Sequence, residues 1–297
     1  MMKPVGSDLL CIWQAEALLG EGPWWSVADQ ALYWVDIKQP EVLRTDTIGS
    51  IRDRWPSPEM IGCFAPRAQG GFVGGFRSGL CTFTLGSPGD SIKLHAIARP
   101  DGYSGTDRFN DGKCHPDGSF WAGTMDDAER EARGHFYRLS VKGALESLSG
   151  PHMVCNGPAF SPDGRFAYLT DSARRTIYRM DLACHGRLIE PFVIFSEKDG
   201  FPDGMTTDTE GRLWIAFWDG WKVMALAPSG ERLTEIHLPV SRPTSCAFGG
   251  PGLSTLFITS ARIGLNPTEL ASQPLAGGLF ACSITGAEGW SAPTYRG

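Results

Sequence analysis

The chain has 297 residues, 42% of them apolar, and a formal net charge of −6 from 27 basic and 33 acidic residues. It is long and apolar enough to bury a large core, but its acidic balance, without a Lys/Arg run longer than a pair, argues against nucleic acids and anionic membranes as partners. No stretch approaches the roughly 18 apolar residues of a transmembrane helix, and residues 1–20, which include Asp8 and Glu16, do not resemble a signal peptide.

The eight cysteines are scattered along the chain, at positions 11, 63, 81, 114, 155, 184, 246 and 282. None belongs to a CxxC pair of the kind that binds metals, and a chain of this length does not need disulfides for stability. We expect most of them to be reduced core side chains in a cytoplasmic protein. We expect the protein to be a monomer or a weak homo-oligomer.

The predicted strands fall into repeats. The early segment Leu9–Glu16 is followed by four segments that share a polar residue, a turn and an apolar strand, and these begin at Glu21, Asn110, Asn156 and Asp203. Two weaker copies lie between them and after them. The turn residues of the six repeats are 42, 47, 46, 47 and 41 residues apart, at Asp29, Gly71, Gly118, Gly164, Gly211 and Gly252.

Six repeats of this length, each with about four short strands, predict an all-β protein, a six-bladed β-propeller that forms a single domain over residues 1–297. The segment Leu9–Glu16 would add an outer strand to the last blade and so close the ring. Sustained helical periodicity is absent from the sequence, and the charge-rich segment Met125–Gly134 is expected to form a loop above one face.

Four repeats carry an oxygen-bearing side chain at the same phase, that is, at the same distance along the sequence from the turn residue of the repeat. Glu21, Asn110, Asn156 and Asp203 each lie 8 residues before the turn residue of their repeat. Equal phase means an equal position in each blade, so the four side chains are predicted to meet near the axis. This oxygen-only set suits Ca²⁺, Mg²⁺, Mn²⁺ or Fe²⁺ better than Zn²⁺. Each residue could instead be a turn former, but a ring of unpaired buried carboxylates would be costly without a cation.

Several motifs also occur in a fixed order over nearly the whole chain. They are Leu19-Gly-Glu-Gly-Pro, Arg108-Phe-Asn-Asp-Gly-Lys, Ala122-Gly-Thr-Met, Asn156-Gly-Pro, Phe201-Pro-Asp-Gly-Met and Pro243-Thr-Ser-Cys-Ala-Phe-Gly-Gly. With this set the chain resembles the regucalcin/gluconolactonase-like lactonases, also called the senescence marker protein family. The resemblance implies a six-bladed propeller that hydrolyses a small sugar lactone at one divalent metal ion on its axis.

The resemblance further implies roles for individual residues. It assigns the metal to Glu21, Asn156 and Asp203, and it makes Asp203 the general base that activates water. It assigns substrate contacts to Arg108 and Asn110. The bound metal would act as a Lewis acid on the lactone carbonyl.

The resemblance also implies an acidic substrate contact shortly after the Gly-Thr-Met motif, for which Asp127 and Glu129 are the candidates. Arg108 has the alternative of pairing with Asp107 or Asp111.

Other polar residues of the repeats are expected to have structural roles. Lys113 and Asp111 are predicted to be turn and surface residues. Asp36 and Asp171 each lie 15 residues after a proposed ligand, which indicates a shared role at a strand end.

Two other functions fit the same fold and ligands: an organophosphate or aryl-ester hydrolase, and a non-catalytic calcium-binding propeller. The sequence carries no HxH, HExxH, GxSxG or GxGxxG motif in a suitable context. A histidine zinc site, a serine nucleophile and a nucleotide cofactor are therefore not predicted.

Overall fold

The computed structural model describes residues 8–183 and 189–297, which form six four-stranded antiparallel sheets. The first strand, β1, covers Leu10–Trp13 and belongs to the last sheet. Each other sheet uses four consecutive strands. In each sheet the strand at one edge contacts the corresponding edge strands of the two neighbouring sheets. These six inner strands surround a common axis.

The first three blades contain strands β2 to β13. Blade 1 consists of β2 (Gly20–Ser26), β3 (Ala31–Asp36), β4 (Glu41–Thr45) and β5 (Asp53–Pro56). Blade 2 consists of β6 (Ile61–Pro66), β7 (Phe72–Phe76), β8 (Leu80–Phe83) and β9 (His95–Ala98). Blade 3 consists of β10 (Asp107–Cys114), β11 (Phe120–Asp126), β12 (Gly134–Leu139) and β13 (Leu145–His152).

The last three blades contain strands β14 to β24 and β1. Blade 4 consists of β14 (Cys155–Phe160), β15 (Phe166–Asp171), β16 (Thr176–Asp181) and β17 (Ile189–Ile194). Blade 5 consists of β18 (Phe201–Thr207), β19 (Leu213–Trp218), β20 (Lys222–Leu226) and β21 (Arg232–His237). Blade 6 consists of β22 (Pro243–Gly249), β23 (Thr255–Ser260), β24 (Leu279–Ser283) and β1.

Strand β1 closes the ring by pairing with β24, with Leu10 opposite Ala281. The segment Leu9–Glu16 therefore supplies the outer strand of the last blade, as its sequence predicts. The six-bladed β-propeller is confirmed.

Helices make a small contribution to the described part of the chain. The α-helix α1 covers Pro267–Ser272, and short 3-10 helices cover Glu197–Asp199 and Pro251–Leu253. No helix in residues 8–183 and 189–297 has the length and apolar character needed to cross a membrane.

The loop predicted over Met125–Gly134 is shorter than expected. Met125 belongs to β11 and Gly134 begins β12, because the pairing of β10 with β11 continues as far as Asp107 opposite Asp126. Residues 127–133 are left as the connection between the two strands.

Apolar side chains fill the space between neighbouring blades. Trp25 of blade 1 stacks on Phe257 of blade 6 at 5.5 Å between ring centroids, and Trp121 of blade 3 meets Phe160 of blade 4 edge-on at 5.3 Å. Aromatic pairs of this kind contribute about 1 kcal/mol each beyond the burial of their area. These two pairs help to hold the inner strands β2 and β14 against the neighbouring blades.

The cysteines described by the structure are free thiols, as expected. Six of the seven are buried, and Cys11 is half-buried. Cys184 lies outside the described residues.

Every inner strand has an irregular register near its start. The shifts lie between Glu21 and Trp24, Ile61 and Cys63, Phe109 and Gly112, Asn156 and Ala159, Pro202 and Met205, and Pro243 and Ser245. A β-bulge bends its strand and changes the direction of the local side chains. Gly22 and Gly157 follow two proposed ligands with φ values of 56° and 79°, a conformation that glycine adopts at little cost. The Glu-Gly and Asn-Gly pairs therefore suit bulges that turn the ligand side chains inward.

Asp36 and Asp171 occupy equivalent strand ends, at the ends of β3 and β15. The backbone N–H groups of Leu18 and Leu19 donate to the Asp36 carboxylate at 2.7 and 3.0 Å. Asp171 accepts from the equivalent segment of blade 4 at 3.3 and 3.5 Å. Each aspartate thus holds the segment that leads into an inner strand, which confirms the predicted structural role.

Candidate active site

A cavity of about 390 Å³ lies at the axis, where the inner strands begin. Its size falls within the usual range for sites that bind small molecules. It is lined by the residues that the sequence proposes for the site, namely Glu21, Arg108, Asn110, Asp127, Asn156 and Asp203. These residues come from blades 1, 3, 4 and 5. Residues far apart in the sequence therefore meet in one cavity.

Two amide side chains form a hydrogen-bonded pair in this cavity. Asn110 Nδ2 donates to Asn156 Oδ1 at 2.8 Å and to the backbone oxygen of Cys155 at 2.9 Å. Asn156 Nδ2 donates to Ser172 Oγ at 2.8 Å. Both ends of the Asn156 amide are thereby held in place. Its Oδ1 retains a second lone pair that can face a cation.

Two buried carboxylates face the same cavity. Glu21 is 4% exposed and Asp203 is 6% exposed. Burial, together with the charge of nearby Asp111, raises the pKa of Glu21 to about 8. Burial, followed by the charge of Glu21, raises the pKa of Asp203 well above its usual range. The two side chains are thus close enough to oppose each other's ionisation.

The neighbouring cations are engaged with other carboxylates. Arg108 Nε lies 2.5 Å from Asp127 Oδ1, and Lys113 Nζ lies 3.7 Å from Asp111 Oδ2. A buried carboxylate without a counter-charge costs several kcal/mol, and a divalent cation between Glu21 and Asp203 would remove that cost. The donor set therefore fits a divalent metal ion.

The donors available to such an ion are oxygens. Two carboxylates and the amide oxygen of Asn156 suit hard cations such as Ca²⁺, Mg²⁺ or Mn²⁺. Among residues 8–183 and 189–297, no group of three or more His, Cys, Asp or Glu side chains is placed to hold a metal. The candidate site depends on an amide as its third ligand.

Charged residues of blades 1 and 3 form a network at the rim. Asp127 Oδ1 accepts from Lys38 Nζ at 2.6 Å and from Arg108 Nε at 2.5 Å. Arg108 Nη1 also donates to Asn110 Oδ1. Although burial raises the pKa of Asp127, the hydrogen bond from Lys38 and the charge of Arg108 hold it below its usual range. The network fixes the Arg108 guanidinium beside the axial amides.

The alternative pairing of Arg108 is not observed. Asp107 instead accepts from Arg133 at 3.2 Å, and Asp111 accepts from the backbone of Gly112 at 2.7 Å. Arg108 pairs with Asp127, which lies 19 residues further along the chain on the neighbouring strand connection.

The prediction that Asp111 and Lys113 are turn and surface residues is wrong. Both belong to the inner strand β10, and Asp111 is 1% exposed. The Asp-Gly pair at 111–112, which resembles a hairpin turn in the sequence, is instead part of the bulge in β10. Asp111 Oδ2 accepts from the backbone N–H of Gly157 in blade 4 at 3.0 Å.

The sequence reasoning missed several other lining residues, including Lys38 and Ser172. Lys38 and Ser172 follow closely after the strand-end aspartates Asp36 and Asp171. Their nearness to these two equivalent strand ends could have indicated a position at the rim.

A six-bladed antiparallel propeller with an oxygen-lined axial cavity is the class that this fold and site define. The family model described as SMP-30/Gluconolactonase/LRE-like region matches residues 19–262. The chain belongs to this family, and the resemblance found in its motifs is confirmed.

Known relatives match nearly the whole chain. The 6-deoxy-6-sulfogluconolactonase of Pseudomonas putida is 38% identical over 298 residues, which cover 99% of this chain and 100% of the relative. The L-arabinolactonase of Azospirillum brasilense is 36% identical over 88% of this chain and 87% of its own length. The crystal structure of a calcium-binding regucalcin from Agrobacterium tumefaciens superimposes with a TM-score of 0.91 at 26% identity, and covers 100% of both chains.

Proposed function

We propose that this lactonase hydrolyses a sugar lactone to the aldonic acid, at a divalent cation bound by Glu21, Asn156 and Asp203. The observation that carries the proposal is the pair of buried carboxylates that share an axial cavity with a fixed amide oxygen. The names of the two lactonase relatives support a lactone of a sugar acid as substrate. The calcium-binding description of the Agrobacterium protein supports a divalent cation.

A cation bound at these ligands would polarise the lactone carbonyl and stabilise the negative charge that develops on its oxygen. The protein contributes rigidity to this arrangement. Asn110 and Ser172 hold the Asn156 amide from both sides. The bulges in β2 and β14 direct Glu21 and Asn156 toward the axis.

Asp203 is proposed as the general base. Its carboxylate would accept a proton from water as the water oxygen forms a bond to the lactone carbonyl carbon. The bond from that carbon to the ring oxygen then breaks, and Asp203 returns the proton to the ring oxygen. The products are a hydroxyl group and a carboxylic acid on one open chain, so the carboxylate of Asp203 is regenerated after each turnover.

Arg108, Asn110 and Asp127 are proposed to hold the hydroxyl groups of the substrate. Nη2 of Arg108 makes no hydrogen bond with the described residues, whereas Nε and Nη1 are fixed by Asp127 and Asn110. The other carboxylate oxygen of Asp127, Oδ2, is available to a substrate hydroxyl, because both Lys38 and Arg108 donate to Oδ1. We propose Asp127 as the acidic contact in preference to Glu129, because its position is fixed by these two ion pairs.

A substrate panel tests the proposed reaction. Purified protein supplied with Ca²⁺, Mn²⁺ or Mg²⁺ would be assayed for acid release from gluconolactone, arabinolactone and 6-deoxy-6-sulfogluconolactone, and for hydrolysis of an aryl phosphotriester. We expect kcat/KM for at least one sugar lactone to exceed that for the phosphotriester by about 100-fold or more. Faster phosphotriester hydrolysis, or no turnover of any lactone with any of these ions, would contradict the proposal.

A further inference from the structure

A third carboxylate and an ammonium group lie further along the axial channel, on the same inner strand as Asn110. Asp111 accepts hydrogen bonds from the backbone N–H groups of Gly112 and Gly157 at 2.7 and 3.0 Å. Lys113 Nζ lies 3.7 Å from Asp111 Oδ2. That nitrogen is inaccessible to solvent and has no hydrogen-bond partner within residues 8–183 and 189–297.

Lys113 borders a second cavity at the other end of the inner strands. This cavity is apolar, has a volume of about 80 Å³, and is also lined by residues of the C-terminal segment, including Trp290 and Pro293. A buried ammonium without hydrogen bonds is costly unless nearby charges compensate it. The candidates for this compensation are the carboxylates of the channel, and Asp111 lies beside it.

The three buried carboxylates of the inner strands are matched in charge by a divalent cation and Lys113 together. Glu21, Asp111 and Asp203 carry three negative charges when ionised, and their side chains are at most 6% exposed. A divalent cation and the ammonium of Lys113 together carry three positive charges. At the rim of the cavity, Arg108 and Lys38 both pair with Asp127, and Glu129 and Arg242 add one charge of each sign.

We propose that Lys113 is a built-in counter-charge of Asp111 that sets the affinity of the axial site for its divalent cation. The proposal rests on the proposed metal site, and it makes Lys113 a positioning residue that acts through Asp111. Gly157 links Asp111 to the proposed metal site, because its N–H donates to Asp111 and it directly follows the proposed ligand Asn156.

This role predicts opposite effects for substitutions of the two partners. Lys113→Met removes a positive charge near the site and leaves Asp111 uncompensated, so the divalent cation should bind more tightly, by about tenfold or more. Asp111→Asn leaves the ammonium uncompensated, so the cation should bind more weakly by a similar factor. The double variant removes both charges and should bind with an affinity close to that of the native protein.

Calorimetric titration of the metal-free, full-length protein with Mn²⁺ or Ca²⁺ measures these affinities without an activity assay. The set comprises the native protein, K113M, D111N, the double variant and K113R, and thermal unfolding of each verifies that it is folded. K113R keeps the charge and should bind within about threefold of the native affinity. If K113M does not fold, D111N and K113R carry the test, and unchanged affinity in D111N would overturn the proposal.

A purely structural role for Lys113 predicts a different pattern. K113M and D111N would then both weaken binding or both leave it unchanged, and either result would overturn the proposal while the metal site itself stands. Failure of the native protein to bind any divalent cation would instead overturn the proposed metal site, and the role of Lys113 with it.

Discussion

Replacement of Asp203 by asparagine is expected to lower kcat for lactone hydrolysis by about 10³-fold or more. The amide keeps the shape of the side chain but cannot accept the proton of water, and it removes one of the two ligand charges. The measurement is the initial rate of acid release at saturating lactone and metal. Saturating metal separates the loss of the base from weaker binding of the cation.

Glu210→Gln is the matched control for Asp203→Asn. Glu210 belongs to the same blade, but its side chain is 69% exposed at the hairpin after β18, where it pairs with Arg212 at 3.2 Å. Arg212 keeps its ion pair with Asp208 at 2.6 Å when this exposed carboxylate is neutralised, so kcat should remain within about twofold of the native value. A kcat for Asp203→Asn within tenfold of the native value would rule out Asp203 as the general base.

Removal of the metal by a chelator is expected to reduce lactone hydrolysis by about 100-fold or more. It should also make the free energy of unfolding depend on pH. In the metal-free protein the pKa of Glu21 is about 8, against an ordinary value of 4.5, and burial also raises the pKa of Asp203. At pH values between 4.5 and about 8, the folded state therefore binds more protons than the unfolded state. The free energy of unfolding should fall as the pH rises through this range.

Urea unfolding across this pH range, with and without saturating divalent cation, measures the effect. The cation binds the ionised carboxylates, so the metal-bound protein should lose less stability as the pH rises. The difference between the two curves isolates the site, because the remaining titratable groups contribute to both. A metal-free protein whose stability rises across the range, or activity that survives thorough chelation, would contradict the account.

The repeat phase in the sequence predicts the axial cluster because a propeller converts equal phase into equal radial position. Glu21, Asn110, Asn156 and Asp203 line one cavity for that reason. The last repeat contributes differently. Thr244 lies 8 residues before Gly252, the same distance as the four ligand candidates, but it is fully buried and its hydroxyl donates to the backbone oxygen of Gly20, which joins blade 6 to blade 1.

The errors have a local cause. Asp111-Gly112 has the composition of a tight turn, but the surrounding residues of β10 pair with β11 on both sides, and the pair becomes a bulge within a strand. Composition alone does not distinguish these two uses of an Asp-Gly pair. The same composition predicts a surface position for Lys113, whereas its ammonium nitrogen is buried and its side chain is only 23% exposed.

The rim network could not be derived from periodicity. Lys38 and Asp127 are 89 residues apart. The connections that carry them differ in length, covering residues 37–40 in blade 1 and residues 127–133 in blade 3. The distance between their charged groups depends on how the connections of blades 1 and 3 fold over the axis. The family resemblance offers Asp127 and Glu129 as candidates for an acidic contact, but nothing in the sequence identifies Lys38 as the partner of Asp127.

The most direct test of the axial site is the number of divalent ions that the protein retains. Native protein, Glu21→Gln and the control Glu16→Gln would be loaded with Mn²⁺ or Ca²⁺, dialysed, and analysed for metal by mass spectrometry. Glu16 is a suitable control because its side chain is 72% exposed, on the segment after β1, and pairs with Arg262 at 3.2 Å.

We expect one retained ion per chain in the native protein and in Glu16→Gln. Glu21→Gln should retain less than about a tenth of an ion per chain, because the loss of half of the ligand charge weakens binding by about 100-fold or more. A native protein that retains no ion, or a Glu21→Gln variant that retains as much as the native protein, would contradict a metal site formed by Glu21, Asn156 and Asp203.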